Sequence, residues 1–432
     1  MRENTFAFPE VALDEEYIIA TYYIESKTKD IIKYAAAIAD EQTTGTWLSV
    51  PGETDDIKLK FGGKVVGIIE LPDYEFEVPE AEIERKYIFQ IAYPTINFGP
   101  QIPMLLTTVI GNIANAGKLK LMDLAFPRSF AKGYKGPKFG IDGIRKLLNV
   151  PERPVVNNMI KPCTGWTPEQ GAKMAYEVAV GGVDIIKDDE LLPADSDFNH
   201  IEDRVKAIMG SIKRAYEETG EHTLYTVNIT DDVSKLKDNA KRALDAGANA
   251  LMINYYTVGF SAAKMITDDP EINVPVMAHV DFSGAMFGSP YHGISSPLLM
   301  GKLCRMSGAD MAIITSPYGK FPVVRSKYMQ QVNMLRQEFW GMNRTLPLLS
   351  GGVTQTVCPQ TMQELGNDIC LAAGGAIHGH PMGATAGAKS MRQAIDATMK
   401  GVSLAEYAKG HKELAAVVEK WGDVTKLFDL KS

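Results

Sequence analysis

The chain changes its hydrophobic rhythm near residue 150. Before that point, residues 17–24 (Tyr-Ile-Ile-Ala-Thr-Tyr-Tyr-Ile), 64–70 and 87–93 are β-branched and aromatic runs that predict strands. Residues 28–42 repeat apolar positions at helical spacing and predict an amphipathic helix. Strands and a helix of this length make an α+β domain, assigned to residues 1–148. Gly136-Pro137-Lys138-Phe139-Gly140 and Pro151-Glu152-Arg153-Pro154 punctuate the change.

From residue 149 to 432 short apolar runs alternate with helical patterns. Strands are expected at 155–161, 183–187, 224–230, 249–255, 274–280, 311–315, 346–350 and 369–373. Helices are expected between them, for example at 167–180, 236–246, 296–307, 359–365 and 386–399, with one or two outer helices over 403–421. Eight strand–helix units over about 250 residues predict an α/β domain of the (β/α)₈ TIM-barrel type. A doubly wound sheet is the alternative, but no GxGxxG follows the first strand.

Such a barrel carries its chemistry at the C-terminal ends of its strands. Those ends read Lys161; Lys187, Asp189 and Glu190; Asn228; Asn254; His279 and Asp281; Ser316; Ser350-Gly351-Gly352; and Gly374-Gly375. The segment Gly181-Gly182-Val183-Asp184-Ile185-Ile186-Lys187-Asp188-Asp189-Glu190 is the densest. Alternation on a strand sends Lys187 and Asp189 to one side, and Glu190 follows where the strand ends. Two carboxylates and an amine there are costly unless something pairs or uses them. A plain solvated charge run is the alternative. A hard divalent cation such as Mg²⁺ suits the oxygens, and lysine joins the ligands only if CO₂ converts its neutral amine to a carbamate. The glycine pairs after strands seven and eight can offer backbone N–H groups to a phosphate; tight turns are the other reading. Lys161 faces the mouth, where burial and charge can lower its pKa. Of the seven histidines only His279 ends a strand; His292, His378 and His380 fall in loops.

Composition narrows the partners. A hydrophobic content of 45% supplies ample core, and a net charge of −8 argues against nucleic acid or an anionic membrane as partner. There is no apolar run of 18 residues and no signal peptide in Met1-Arg2-Glu3-Asn4. The four cysteines, Cys163, Cys304, Cys358 and Cys370, have neither metal-ligand spacing nor a disulfide pattern. A reducing cytoplasmic setting is expected.

Together these residues resemble the large-subunit family of ribulose-bisphosphate carboxylase/oxygenase (RuBisCO) over nearly the whole chain. Gly-Gly-Val-Asp-Ile-Ile-Lys-Asp-Asp-Glu looks like that family's metal motif. The resemblance implies that Lys187 is carbamylated and binds Mg²⁺ with Asp189 and Glu190. Glu41-Gln42-Thr43-Thr44-Gly45-Thr46-Trp47 and Gly111-Asn112 resemble the segments that reach into a partner subunit's site. This implies a homodimer, or a multiple of one, with shared active sites. Lys161-Pro162 matches the enolisation base, Gly319-Lys320 the closing barrel loop, and Ser350-Gly351-Gly352 and Gly374-Gly375 the phosphate loops.

Departures shape the expected activity. Cys163 stands at a lysine position, Asp281-Phe282 at a histidine–arginine pair, and Ile313 at a histidine that helps hold the second phosphate. Losing two such contacts costs about 1.5–3 kcal/mol per charged hydrogen bond. The resemblance therefore implies a RuBisCO-like (form IV) protein that does not fix CO₂. Ile96-Asn97-Phe98, Met277-Ala278-His279, Ser316-Pro317-Tyr318-Gly319 and His378-Gly379-His380-Pro381 place it nearest the branch containing the diketo-methylthiopentyl-phosphate enolase of methionine salvage. Those enolases carry a lysine base where this chain has Asn112. The expected reaction is Mg²⁺-dependent enolate formation from a monophosphorylated keto compound, with Lys161 and Lys320 as catalytic lysines and His279 a candidate for proton transfer. A phosphorylated β-keto acid decarboxylase, a true carboxylase and a non-catalytic scaffold are the alternatives.

Overall fold

In the first unit, Met1–Lys135 with Phe282–Leu303, every second residue of one long strand is inaccessible to water. That strand is Tyr17–Ser26, whose Ile18, Ala20, Tyr22 and Ile24 form the buried row. It lies at the centre of a five-stranded sheet. The order is Gly293–Ile294, Lys118–Ala125, Tyr17–Ser26, Arg85–Pro94, Lys64–Leu71. All neighbours are antiparallel except the first pair, which is parallel. The helix Ile31–Glu41 is capped by Asp30, whose carboxylate accepts the Lys33 N–H at 2.9 Å. The computed structural model describes residues 5–13, 16–46, 48, 50–79 and 83–422.

The second unit, Gly136–Asp281 with Cys304–Ser432, is built on a closed barrel of eight parallel strands. The strands are Val155–Met159, Ile185–Lys187, Leu224–Asn228, Ala250–Asn254, Val276–His279, Met311–Thr315, Leu346–Ser350 and Cys370–Ala372. All eight expected strands are present, each within its expected span. The protein is thus an α/β protein: an N-terminal α+β unit and a (β/α)₈ barrel.

One end of the barrel is closed by the helix Gly140–Leu148. Its Ile141, Ile144 and Leu148 join Val155, Ile185, Met252, Met277, Met311 and Leu346 in one buried cluster. The buried Asp310 carboxylate pins this helix by accepting the N–H groups of Phe139 (2.6 Å), Gly140 (2.9 Å) and Val276 (2.9 Å). The helix belongs to the barrel unit, so the division falls between Lys135 and Gly136 rather than at the expected 148/149. No helix among the described residues is long and apolar enough to cross a membrane.

Beneath the opposite end lies a buried ion pair. Asp188 accepts from Arg204 Nε at 3.1 Å, from the Tyr225 hydroxyl at 2.5 Å and from the Asn228 N–H at 3.0 Å. Asp188 and Arg204 are both fully buried. Breaking such a pair leaves an uncompensated charge, so Asp188→Ala should cost about 3–5 kcal/mol. Removing the exposed Lys235–Asp231 pair (3.4 Å) with Lys235→Ala should cost less than about 1 kcal/mol. Urea unfolding midpoints of the two variants check this; equal losses would contradict it.

Candidate active site

The strand ends gather Lys161, Lys187, Glu190, His279, Lys320, Ser350, Gly351, Gly352, Gly374 and Gly375 around one cavity of 540 Å³. Asp189 is not on its wall. It is buried behind Lys161, whose ammonium it holds at 2.6 Å. Lys161 Nζ also lies 2.9 Å from Cys163 Sγ. Burial pulls the Lys161 pKa down, but Asp189 and Cys163 outweigh it and hold the pKa above the ordinary lysine value. The expectation of a lowered pKa is therefore corrected: in this arrangement Asp189 keeps the proton on Lys161.

Lys187 is 1% exposed. Its amine donates to the Asp188 carbonyl at 2.7 Å and to Glu190 Oε2 at 3.0 Å. Glu190 Oε2 also lies 3.1 Å from His279 Nε2. Burial pushes the Glu190 carboxyl up, but the His279 hydrogen bond and the Lys187 charge hold it far below the carboxylate range. The mouth thus holds its charges as two adjacent pairs, Lys161–Asp189 and Lys187–Glu190.

Glycines and Ile313 line more of the wall, with Lys320 beside them. Gly351 and Gly352 have φ of 93° and 105°, which glycine adopts without strain. A Cβ on Gly374 would stand 3.2 Å from Lys161 Cε, so a side chain there would press on the base. The N–H groups of Gly351, Gly352, Gly374 and Gly375 make no hydrogen bond among the described residues. Lys320 follows Gly319 in a loop stacked on this turn, and its N–H donates to the Gly351 carbonyl at 2.7 Å. The exposed Lys320 ammonium lies 5.0 Å from the Phe321 ring centroid. Ile313, 4% exposed, adds an apolar patch to the wall.

Other expected residues lie elsewhere. Glu41 and Asn112 line a separate cavity of 580 Å³ in the first unit, with Asn112 Nδ2 donating to Glu41 Oε1 at 3.3 Å. Thr46 is exposed and is not on that wall. Trp47 lies outside the described residues. Phe282, in the first unit, is 59% exposed with φ 67°.

His378 reads in the sequence as a loop residue within the motif His378-Gly379-His380-Pro381, with no role of its own. In the fold it ends the turn Gly375–His378, and its Nε2 meets Asn158 Oδ1 at 3.0 Å. Burial first, and the Lys161 charge second, lower its pKa to about 4. The sequence offers one signal, a histidine four residues after a glycine cradle. His380, by contrast, is held by backbone: Nε2 by the Glu413 carbonyl at 2.9 Å and Nδ1 by the Met382 N–H at 3.0 Å.

A (β/α)₈ barrel that gathers paired lysines and carboxylates with unpartnered backbone N–H groups at its strand ends has the arrangement of a barrel enzyme's active site. Comparison with known proteins makes this specific. Residues 140–421 match the ribulose bisphosphate carboxylase large chain, catalytic domain, and residues 6–130 match its N-terminal domain. The chain belongs to this family. It is 49% identical to a ribulose bisphosphate carboxylase-like protein of Archaeoglobus fulgidus, over 94% of this chain and 93% of the relative. It is 37% identical to the 2,3-diketo-5-methylthiopentyl-1-phosphate enolase of Geobacillus thermodenitrificans, over 94% and 98%. A RuBisCO-like protein structure from Alicyclobacillus acidocaldarius superposes with a TM-score of 0.87 at 35% identity, covering 94% of this chain and all of that one. A dimeric archaeal RuBisCO from Hyperthermus butylicus gives 0.84 at 30% identity, covering 94% and 96%.

A pH prediction follows from His378. In the fold it stays neutral down to about pH 4, whereas an unfolded histidine protonates near 6.5. Its contribution is therefore intact above pH 6.5 and lost as pH falls toward 4, to about 3 kcal/mol. Glu190, with a depressed pKa, contributes above its unfolded value of 4.5 and loses that only below it. Between pH 6.5 and 4.5 the stability of His378→Gln should fall less than that of the parent chain, as read by urea midpoints at each pH. Parallel slopes would contradict the assignment.

Proposed function

We propose that this protein forms an enolate from a monophosphorylated keto compound, tested first with 2,3-diketo-5-methylthiopentyl 1-phosphate, whose enolases are 37% identical to this chain but carry their lysine base where it has Asn112. The observation that carries this reading is the cavity that brings Lys161 together with four glycine N–H groups unpartnered among the described residues, Gly374 lying beside Lys161. The donor set fits Mg²⁺. Asp189 and Glu190 supply hard oxygens, and the buried Lys187 amine adds two more if it takes up CO₂. Bound there, Mg²⁺ would supply Lewis acidity that stabilises negative charge on a carbonyl oxygen.

The chain's own residues do the rest. Gly351, Gly352, Gly374 and Gly375 hold the phosphate oxygens through backbone N–H groups. Lys161 moves a proton at the carbon beside the carbonyl, and it becomes a base when Asp189 no longer compensates its ammonium. Lys320 closes over the substrate from its loop. Ile313 offers no hydrogen bond to a second phosphate, so a dianion facing it loses water without gaining partners. Glu41, Thr46, Trp47 and Asn112 complete the site from a second copy of the chain in a homodimer or a multiple of one, consistent with closed two-fold symmetry.

Incubating the protein with the substrate, Mg²⁺ and bicarbonate in deuterated buffer tests this. The α-proton should exchange, and Lys161→Met should slow exchange by about 10²–10⁴-fold, with phosphate protection of the fold retained. Lys187→Ala should abolish exchange. Normal exchange in Lys161→Met, or carboxylation of ribulose bisphosphate above background, would overturn the reading.

A further inference from the structure

The barrel mouth carries a second set of ligating atoms, which shares Glu190 with the carbamate reading and adds His279 and Asp281. Glu190, His279 and Asp281 each offer one atom, and these lie within 4.8 Å of one another. Glu190 Oε2 and His279 Nε2 are 3.1 Å apart. Neighbouring ligands about 2.1 Å from one metal stand about 3–3.4 Å apart, so this separation is that of two adjacent coordination positions. We infer that Glu190, His279 and Asp281 form a carbamate-independent site for a divalent transition cation.

His279 Nδ1 receives the Asp281 N–H at 3.3 Å, and the Asp281 carboxylate stands 3.4 Å from the same ring atom, so Asp281 fixes the ring from one side while Nε2 faces Glu190. Asp281 occurs where the carboxylases of the family carry a histidine, so this chain replaces a cationic or neutral group by an anion at the mouth. A nearby acceptor points the same way. Asn254 pairs in register with His279, donates to the Glu190 carbonyl at 3.2 Å, and its buried Oδ1 has no partner among the described residues.

The ligand set also selects the ion. The imidazole nitrogen favours Co²⁺ or Zn²⁺ over Mg²⁺, which prefers oxygen alone. The Lys187 ammonium occupies the same Glu190 oxygen at 3.0 Å and competes with a cation there. Removing it should tighten this site, while it destroys a carbamate site. The inference uses the same mouth as the enolase reading, yet the two fail separately.

Equilibrium dialysis of Co²⁺ in CO₂-free buffer, with the visible Co²⁺ spectrum read in parallel, tests it. The parent chain should bind one Co²⁺ with a nitrogen-ligand spectrum. Lys187→Ala should bind it at least as tightly. Asp281→Asn, at a half-buried position, and His279→Gln should each weaken it by about tenfold or more. Loss of Co²⁺ in Lys187→Ala, or parent-like binding in Asp281→Asn, would overturn the inference. Mg²⁺ binding stimulated by bicarbonate, measured on the parent and Lys187→Ala, reports on the carbamate alone: its absence in the parent would sink that reading and leave the Co²⁺ site standing.

Discussion

The mouth of this barrel depends on one buried ion pair that never faces it. Asp188 sits between Lys187 and Asp189, and its side chain turns away from both, into Arg204 and Tyr225. Desolvating this carboxylate is compensated by a charged donor, a hydroxyl and the Asn228 N–H. Asn228 is held in turn by the carbonyl of Leu192 at 2.9 Å, which ties the loop after the strand to the next strand end. Because Asp188 is fixed inward, its two neighbours are fixed on the other side. The site residues are thus positioned by a network that Lys187 touches at the Asp188 carbonyl and that Glu190 meets through its own carbonyl, 3.3 Å from Asn228 Nδ2.

That constraint makes the charge pattern tolerable. Two lysines and two carboxylates in one small volume would repel in some arrangements and neutralise in others. The strand geometry selects neutralisation, with 2.6 Å and 3.0 Å contacts. Asp189 holds Lys161 protonated, so whatever draws charge from Asp189 releases a base. His378 adds a group that stays neutral because it is buried and Lys161 is already charged. It can donate to Asn158 without adding to the positive charge.

The repetitive parts of the chain are legible in its sequence and the exceptions are not. Apolar runs with polar ends disclose all eight barrel strands, because a parallel strand buried on both faces must be apolar along its length. Lys118–Ala125 goes unread, although Leu119 and Leu121 alternate with lysines as an edge-near strand should. The return of Phe282–Leu303 to the first unit cannot be read, since its two-residue strand Gly293–Ile294 carries no period. At the site, residue types disclose Lys161, Lys187 and the glycine cradle. They do not disclose that Asp189 lies behind Lys161 rather than on the cavity wall, because alternation gives a side and not a depth. Asp281 reads as a lost histidine; only the distances to His279 and Glu190 give it a role of its own.

Substrate choice in such a barrel is a question of which strand ends keep their polarity. Many chemistries share this architecture, so the fold alone decides little. Here the ends of strands seven and eight keep four backbone donors that no side chain obstructs. Strand six instead turns Ile313 toward the cavity. A phosphate at the glycines exchanges water for N–H groups at little cost, whereas a phosphate at Ile313 exchanges water for methyl groups. The same cavity therefore suits an anion at its glycines and an apolar or small neutral group against Ile313, which is what the proposed keto compound with a single phosphate would offer.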